Sequence, residues 1–194
     1  MRIMLLFVDT ETTGLPKFSS NDFEKWPRVV QLAWALYDHD GNRESLNSFI
    51  IYPTDFLIPQ DAATIHGITT ERAKKKGISL HKVLPQFNSD VEKANTIIAH
   101  NLDFDLPSVN TEFMRCKLET NLSKKQRFCT MKTQKIVSYC KLPSPSGMGY
   151  KWPTLNQLHL QLFKTEFTDS HNASADVEAC AKCYFELRRR GIIE

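Results

Sequence analysis

Asp9 and Glu11 stand one residue apart where an apolar run, Leu5-Leu6-Phe7-Val8, gives out into the loop signal Thr12-Thr13-Gly14. On a strand, side chains alternate faces, so the two carboxylates leave one face while Thr10 turns away. Two such acids side by side repel and favour a bound cation. At roughly 6% each for Asp and Glu, a chain of this length offers about one such pair by chance, so the pair alone decides nothing. Two further groups change that. Thr96-Ile97-Ile98-Ala99 is a second short apolar strand and runs directly into His100-Asn101-Leu102-Asp103-Phe104-Asp105. Later, His171-Asn172-Ala173-Ser174-Ala175-Asp176 opens the last helical stretch. Three acid groups in separate places, two of them at the ends of buried strands, suit metal-assisted cleavage of a phosphodiester. That chemistry needs clustered carboxylates for two divalent ions and a base for the attacking water. The His-x4-Asp spacing cannot choose the base, because His100 with Asp105 fits it as well as His171 with Asp176.

The elements that must position these residues can be read in order. Leu5 to Val8 is apolar throughout, as expected of a strand covered on both faces. Pro16 to Pro27 is polar and bounded by prolines, an insertion over the strand's end. Arg28 to Tyr37 and Ser45 to Tyr52 read as strands around the turn Asp38-His39-Asp40-Gly41-Asn42, giving an antiparallel opening of three strands. Pro59 to Gly77 reads as two short helices, and Leu80, Val83, Leu84, Phe87 and Val91 mark a third despite Pro85. After the second acid group, Pro107 is placed as the first residue of a helix reaching about Cys116. Phe128 to Met131 reads as a short strand and Lys132 to Cys140 as a helix. The Pro-, Gly- and Ser-dense stretch 143–153 reads as a mobile loop. Thr154 caps a helix carrying Leu155, Leu158, Leu162 and Phe163, and the final helix runs from about Ser174 to Arg190, stopped by Gly191. On it Asp176 shares a face with Cys180, Cys183 and Leu187, so an acid borders a core face and needs a partner. Strands without helices followed by strands alternating with helices predict a mixed α/β sheet covered by helices.

Bulk properties set limits. At 194 residues, 41% hydrophobic and 24% charged, the chain has the composition of one ordinary globular domain, 1–194. A formal net charge of +3 permits an anionic partner without demanding one. No stretch approaches the ~18 to 20 apolar residues of a membrane span, and no targeting segment precedes the first strand. Five cysteines give no even disulfide framework, and Cys180-x-x-Cys183 lacks a second ligand pair, so it reads as two buried thiols. A cytoplasmic protein without a membrane partner is expected.

In order and context, D-x-E ending a first strand, H-N-x-x-F-D ending a later one and H-x4-D opening the final helix resemble the DEDDh branch of the DnaQ-like 3′-to-5′ exonucleases. The resemblance covers roughly Leu5 to Phe185. It includes Ile65-His66-Gly67-Ile68, Cys129-Thr130-Met131-Lys132 and Thr154-Leu155-Asn156-Gln157-Leu158, with Cys129 where many relatives carry Asp. It implies a ribonuclease H-like fold, a mixed five-stranded sheet whose last two strands run parallel to the first. It also implies Asp9, Glu11, Asp105 and Asp176 as ligands of two Mg2+ ions, with Mn2+ able to substitute, and His171 as general base. Asp105 is preferred over the extra acid Asp103 because it follows the aromatic residue; Asp103 reads as a cap or surface acid. The same resemblance implies that Thr12 meets the terminal 3′-hydroxyl, that Leu15 and Phe104 pack on terminal bases, and that Ile65 and His66 border the terminal nucleotide. For Leu15 and Phe104 the competing role is core packing, and for His66 it is capping a helix. The implied partner is the 3′ end of a single nucleic acid strand, DNA favoured over RNA, with association to a DNA polymerase open. An exoribonuclease on short RNA and a non-catalytic nucleic-acid-binding module are the alternatives. Lys74 to Lys76, Lys124-Lys125 with Arg127, and Arg188 to Arg190 are candidate phosphate guides or simply solvated helix ends.

Overall fold

A computed structural model of the chain describes residues 2–16, 25–165, 167 and 172–194. Its elements are β1 (Met4–Thr12), β2 (Val29–Asp38), β3 (Arg43–Ile50), α1 (Gln60–His66), α2 (Thr70–Lys76), α3 (Leu80–Lys93), β4 (Thr96–Ala99), α4 (Leu102–Arg115), β5 (Gln126–Cys129), α5 (Gln134–Cys140), α6 (Leu155–Phe163) and α7 (Ala173–Arg189). The strands form one five-stranded sheet in the order β3-β2-β1-β4-β5. β1, β2 and β3 pair antiparallel, while β4 joins β1 and β5 joins β4 in parallel. This is the expected ribonuclease H-like arrangement.

The alternation of β1 decides what its end can do. Met4, Leu6 and Val8 enter a core beneath α3 and α4, with Trp34, Phe87 and Phe113. Leu5 and Phe7 enter the opposite core, beneath α5, α6 and α7, with Val177, Cys180 and Leu187. The period of 2 therefore carries Asp9 and Glu11 onto the α7 face and Thr10 onto the α4 face. A third cluster, Val30, Ile58, Ala63, Ile68 and Ala73, seats α1 and α2 against β2.

Local chemistry ends the helices where the site needs them to end. Gly67, at φ 70°, closes α1 in a left-handed conformation and donates its N–H to the Ala63 carbonyl. Gly77 stops α2 for a different reason: a Cβ there would lie 2.6 Å from the Tyr52 nitrogen, so only glycine permits the approach. Thr154 caps α6 as expected, and Gln157 completes a capping box with it. One boundary differs. α4 starts at Leu102, five residues before Pro107, because Asn101 makes the turn itself at φ 84°. Asn tolerates that backbone region. Pro107 then sits inside the helix. Stretch 143–153, expected as a mobile loop, contains a β-bridge between Pro143 and Tyr150.

Candidate active site

Asp9 and Glu11 arrive from β1, Asp176 from the first turn of α7. One carboxylate oxygen from each lies within 4.8 Å of the others. Asn172 caps α7 by accepting from the Ser174 N–H at 3.2 Å, which places Asp176 where the helix dipole favours its charge. Asp105 comes from the first turn of α4, across the other face of the sheet. Its Oδ1 accepts from both the backbone N–H of Thr10, at 3.0 Å, and the Thr10 hydroxyl, at 2.8 Å. Thr10 thus holds the fourth acid beside the three. From the sequence Thr10 only turns to the far face and carries no role; a hydroxyl following Met4, Leu6 and Val8 in the same alternation was the available signal.

The electrostatics fit a cation cluster. Burial is the main cause that pushes the Asp9 carboxyl well above its usual range, and Asp105, Asp176 and Glu11 add to the rise. Burial, then Asp176 and Asp105, raises Glu11 to about 7. Asp105 is raised to about 7, again chiefly by burial, although the Thr10 hydrogen bonds oppose the shift. Acids held together at this cost are what divalent cations relieve, and three converging oxygens supply a suitable donor set. Unfolded, Glu11 and Asp105 titrate near 4.5 and 3.8. The metal-free folded chain therefore holds more protons than the unfolded chain from about pH 4 to 7, and its stability should fall as pH rises through that window. Thermal melts in EDTA should show this decline. Mg2+ should raise the melting temperature by several degrees at pH 8 and by much less at pH 5. Equal shifts at both values would mean the acids do not take the ion.

Beside the acids, Thr10, Glu11, Thr12, Gly14 and Leu15 face Asp61, Ala62, Ile65 and His66 of α1 and Phe104 of α4 across a recess of about 440 Å³. All five residues expected to meet a terminal nucleotide line it. Leu15 is 79% exposed and Ile65 60% exposed, so neither is spent on the core. His66 walls the recess, and its Nδ1 accepts from the Ile68 N–H at 3.2 Å just past α1. Thr12 donates its hydroxyl to the Gly14 carbonyl at 2.7 Å. His171, expected as base, lies outside the described residues, as do residues 17–24 of the expected insertion.

Other candidates resolve into structural work. Asp103 is exposed and paired with Lys132 at 2.7 Å. Lys125 donates to the carbonyls of Glu92 and Ala94 at the end of α3, and Arg189 and Arg190 pair with Glu186. Cys180 and Cys183 are buried thiols facing the sheet. Among the described residues no helix is long and apolar enough to cross a membrane.

Fold and acid cluster together define a nuclease, and comparison agrees: the RNase_T family model, described as Exonuclease, matches residues 6–184, and the chain belongs to that family. It is 27% identical over 176 residues to the DNA polymerase III subunit epsilon of Treponema pallidum (strain Nichols), covering 91% of this chain and 72% of that protein, which supports a DnaQ-like exonuclease. Among solved structures, E. coli Exonuclease I in complex with a dA16 oligonucleotide superposes with a TM-score of 0.78 at 21% identity, and its complex with dT13 with 0.78 at 22%. Each alignment covers 97% of this chain but only 41% of the Exonuclease I chain, and at that identity the likeness is one of fold.

Proposed function

We propose that the chain is a metal-dependent 3′-to-5′ exonuclease that releases nucleoside 5′-monophosphates from the 3′ ends of single-stranded DNA. The observation that carries this reading is the recess of about 440 Å³ that shares Glu11 with the acid cluster. It sets an apolar, base-sized surface directly beside the groups able to hold cations. Leu15, Ile65 and Phe104 would pack on the terminal base without reading its identity. His66 would border the same nucleotide, and Thr12 with its neighbouring backbone would meet the 3′-hydroxyl.

Asp9, Glu11, Asp105 and Asp176 would hold two divalent ions, Mg2+ or Mn2+. Bound there, the ions supply the positive charge that activates water and stabilises the departing 3′ oxygen. Thr10 keeps Asp105 turned toward the cluster. His171, just before the α7 cap, would take the proton from water, since an unperturbed imidazole near ~6.5 is available at neutral pH.

DNA as substrate is supported by the similarity to a DNA polymerase III subunit and by the oligonucleotides bound to Exonuclease I. The first of these also supports association with a DNA polymerase. Five free cysteines, three of them buried, suit a reducing cytoplasm. We assign the activity to a single domain, 1–194.

The test is degradation of a 5′-labelled single-stranded DNA and a matched RNA with Mg2+, with EDTA and Asp9→Ala controls, read on a sequencing gel. A ladder shrinking from the 3′ end of the DNA, absent in both controls, is the expected result. Shortening of the RNA alone would make the enzyme an exoribonuclease. Retained binding without cleavage in Mg2+ or Mn2+ would make it a binding module.

A further inference from the structure

Residues 142–153, between α5 and α6, form a short hairpin with no part in the site described so far. Besides the Pro143–Tyr150 bridge, Ser144 donates its N–H to Gly149 at 3.3 Å and Lys151 its N–H to Leu142 at 2.9 Å. Its foot is pinned. Half-buried His100, just past the end of β4, bonds the Pro153 carbonyl through Nε2 and the Thr130 hydroxyl through Nδ1, both at 3.0 Å. The hairpin presents large side chains to solvent: Tyr150 is 48% exposed and Trp152 56%. They stand two residues apart on the returning arm. Lys132 reaches the second of them, its ammonium 4.8 Å from the centre of the Trp152 ring. The same ammonium pairs with Asp103, the residue before Phe104 of the recess.

The sheet order sets the recess, the acids and the hairpin in a row. α1 seats the recess on the β2 side of β1, the acids stand at the end of β1, and the hairpin is held at the ends of β4 and β5. A strand with its terminal nucleotide in the recess and its last phosphate at the acids, continuing the same way, crosses β4 toward β5. That is two strand spacings, about 10 Å. It then meets two exposed aromatic rings and a cation, the combination that holds unpaired bases and their backbone without selecting sequence.

We propose that this hairpin is a stacking platform for the nucleotides preceding the terminal one, with Trp152 and Tyr150 taking bases and Lys132 a phosphate; the proposal rests on the exonuclease reading above. Two probes separate them. A p-nitrophenyl ester of thymidine 5′-monophosphate needs only the recess and the acids, whereas a fluorescein-labelled dT strand of about 16 nucleotides also needs the platform. Binding of the dT strand is measured by anisotropy in Ca2+, and turnover of both substrates in Mg2+ or Mn2+. Trp152→Ala is expected to weaken dT binding about five- to a hundredfold. It should lower the ratio of kcat/KM for the dT strand to that for the ester accordingly, with Trp152→Phe recovering most of both. Because Trp152 is more than half exposed, an unchanged melting temperature should accompany the loss. Wild-type affinity in Trp152→Ala, or equal losses on both substrates, would overturn the platform. A wild-type protein that turns over neither substrate would overturn the exonuclease reading instead, and the anisotropy measurement would still decide the platform.

Discussion

Asp9→Asn is expected to reduce turnover about a thousandfold or more while making the metal-free protein harder to unfold. The first effect follows from the position of Asp9, which shares a space of 4.8 Å with oxygens of Glu11 and Asp176. A cation placed there contributes several kcal/mol of stabilisation to the developing charge, and each 1.36 kcal/mol is tenfold in rate. The second follows from the cause of its raised pKa: burial first, then repulsion from Asp105, Asp176 and Glu11. A neutral amide of the same shape removes both penalties. The gain should be largest in EDTA at pH 8, where the remaining acids ionise, and should shrink toward pH 5. Single-turnover degradation of labelled DNA and thermal melts of the two proteins read both effects. An acid retained for structure behaves in the opposite way, losing stability on substitution with little change in rate. A lower melting temperature in Asp9→Asn together with near-normal turnover would therefore remove Asp9 from the site.

The acid cluster was legible because it depends on short-range rules. Period 2 along β1 placed Asp9 and Glu11 on one face, and helical spacing put Asp176 in line with Cys180, Cys183 and Leu187 on the sheet-facing side of its helix. Thr96–Ala99 matched its strand to the residue, since turn chemistry bounds it on both sides. What escaped depended on contacts distant in sequence. The local rule for proline started α4 at Pro107, but the turn at Asn101 and the Thr10 bonds to Asp105, 95 residues away, draw the helix back to Leu102. Lys125 looked like a phosphate guide until the α3 carbonyls, 31 and 33 residues away, claimed its ammonium. The hairpin at 142–153 has no hydrophobic period to betray it, being held by backbone bonds and by the ring of His100, 53 residues from Pro153.

Glu112 is the extreme case, and its replacement by alanine should cost about 3 to 5 kcal/mol of stability. Nothing in its neighbourhood on the chain distinguishes it from a surface residue of an amphipathic helix, yet its side chain is fully buried. Its Oε1 accepts from the Arg28 Nε at 3.0 Å, the Val29 N–H at 3.0 Å and Arg115 at 3.1 Å. Alanine would leave the Val29 N–H without this acceptor and two mostly buried guanidinium groups without their shared counter-charge. The consequence reaches the recess through the backbone. Arg28 donates its N–H to the Thr13 hydroxyl and accepts from the Thr13 N–H, both at 2.9 Å, so this network anchors the segment that carries Thr12, Gly14 and Leu15. For a chain of this size the loss corresponds to a drop in melting temperature of about 6 to 20 °C. Glu112→Gln, which keeps an oxygen acceptor but not the charge, should fall between alanine and wild type. Melting curves of the three proteins make the comparison; an alanine variant within about 2 °C of wild type would show that the two arginines find other partners and that Glu112 does not anchor the recess.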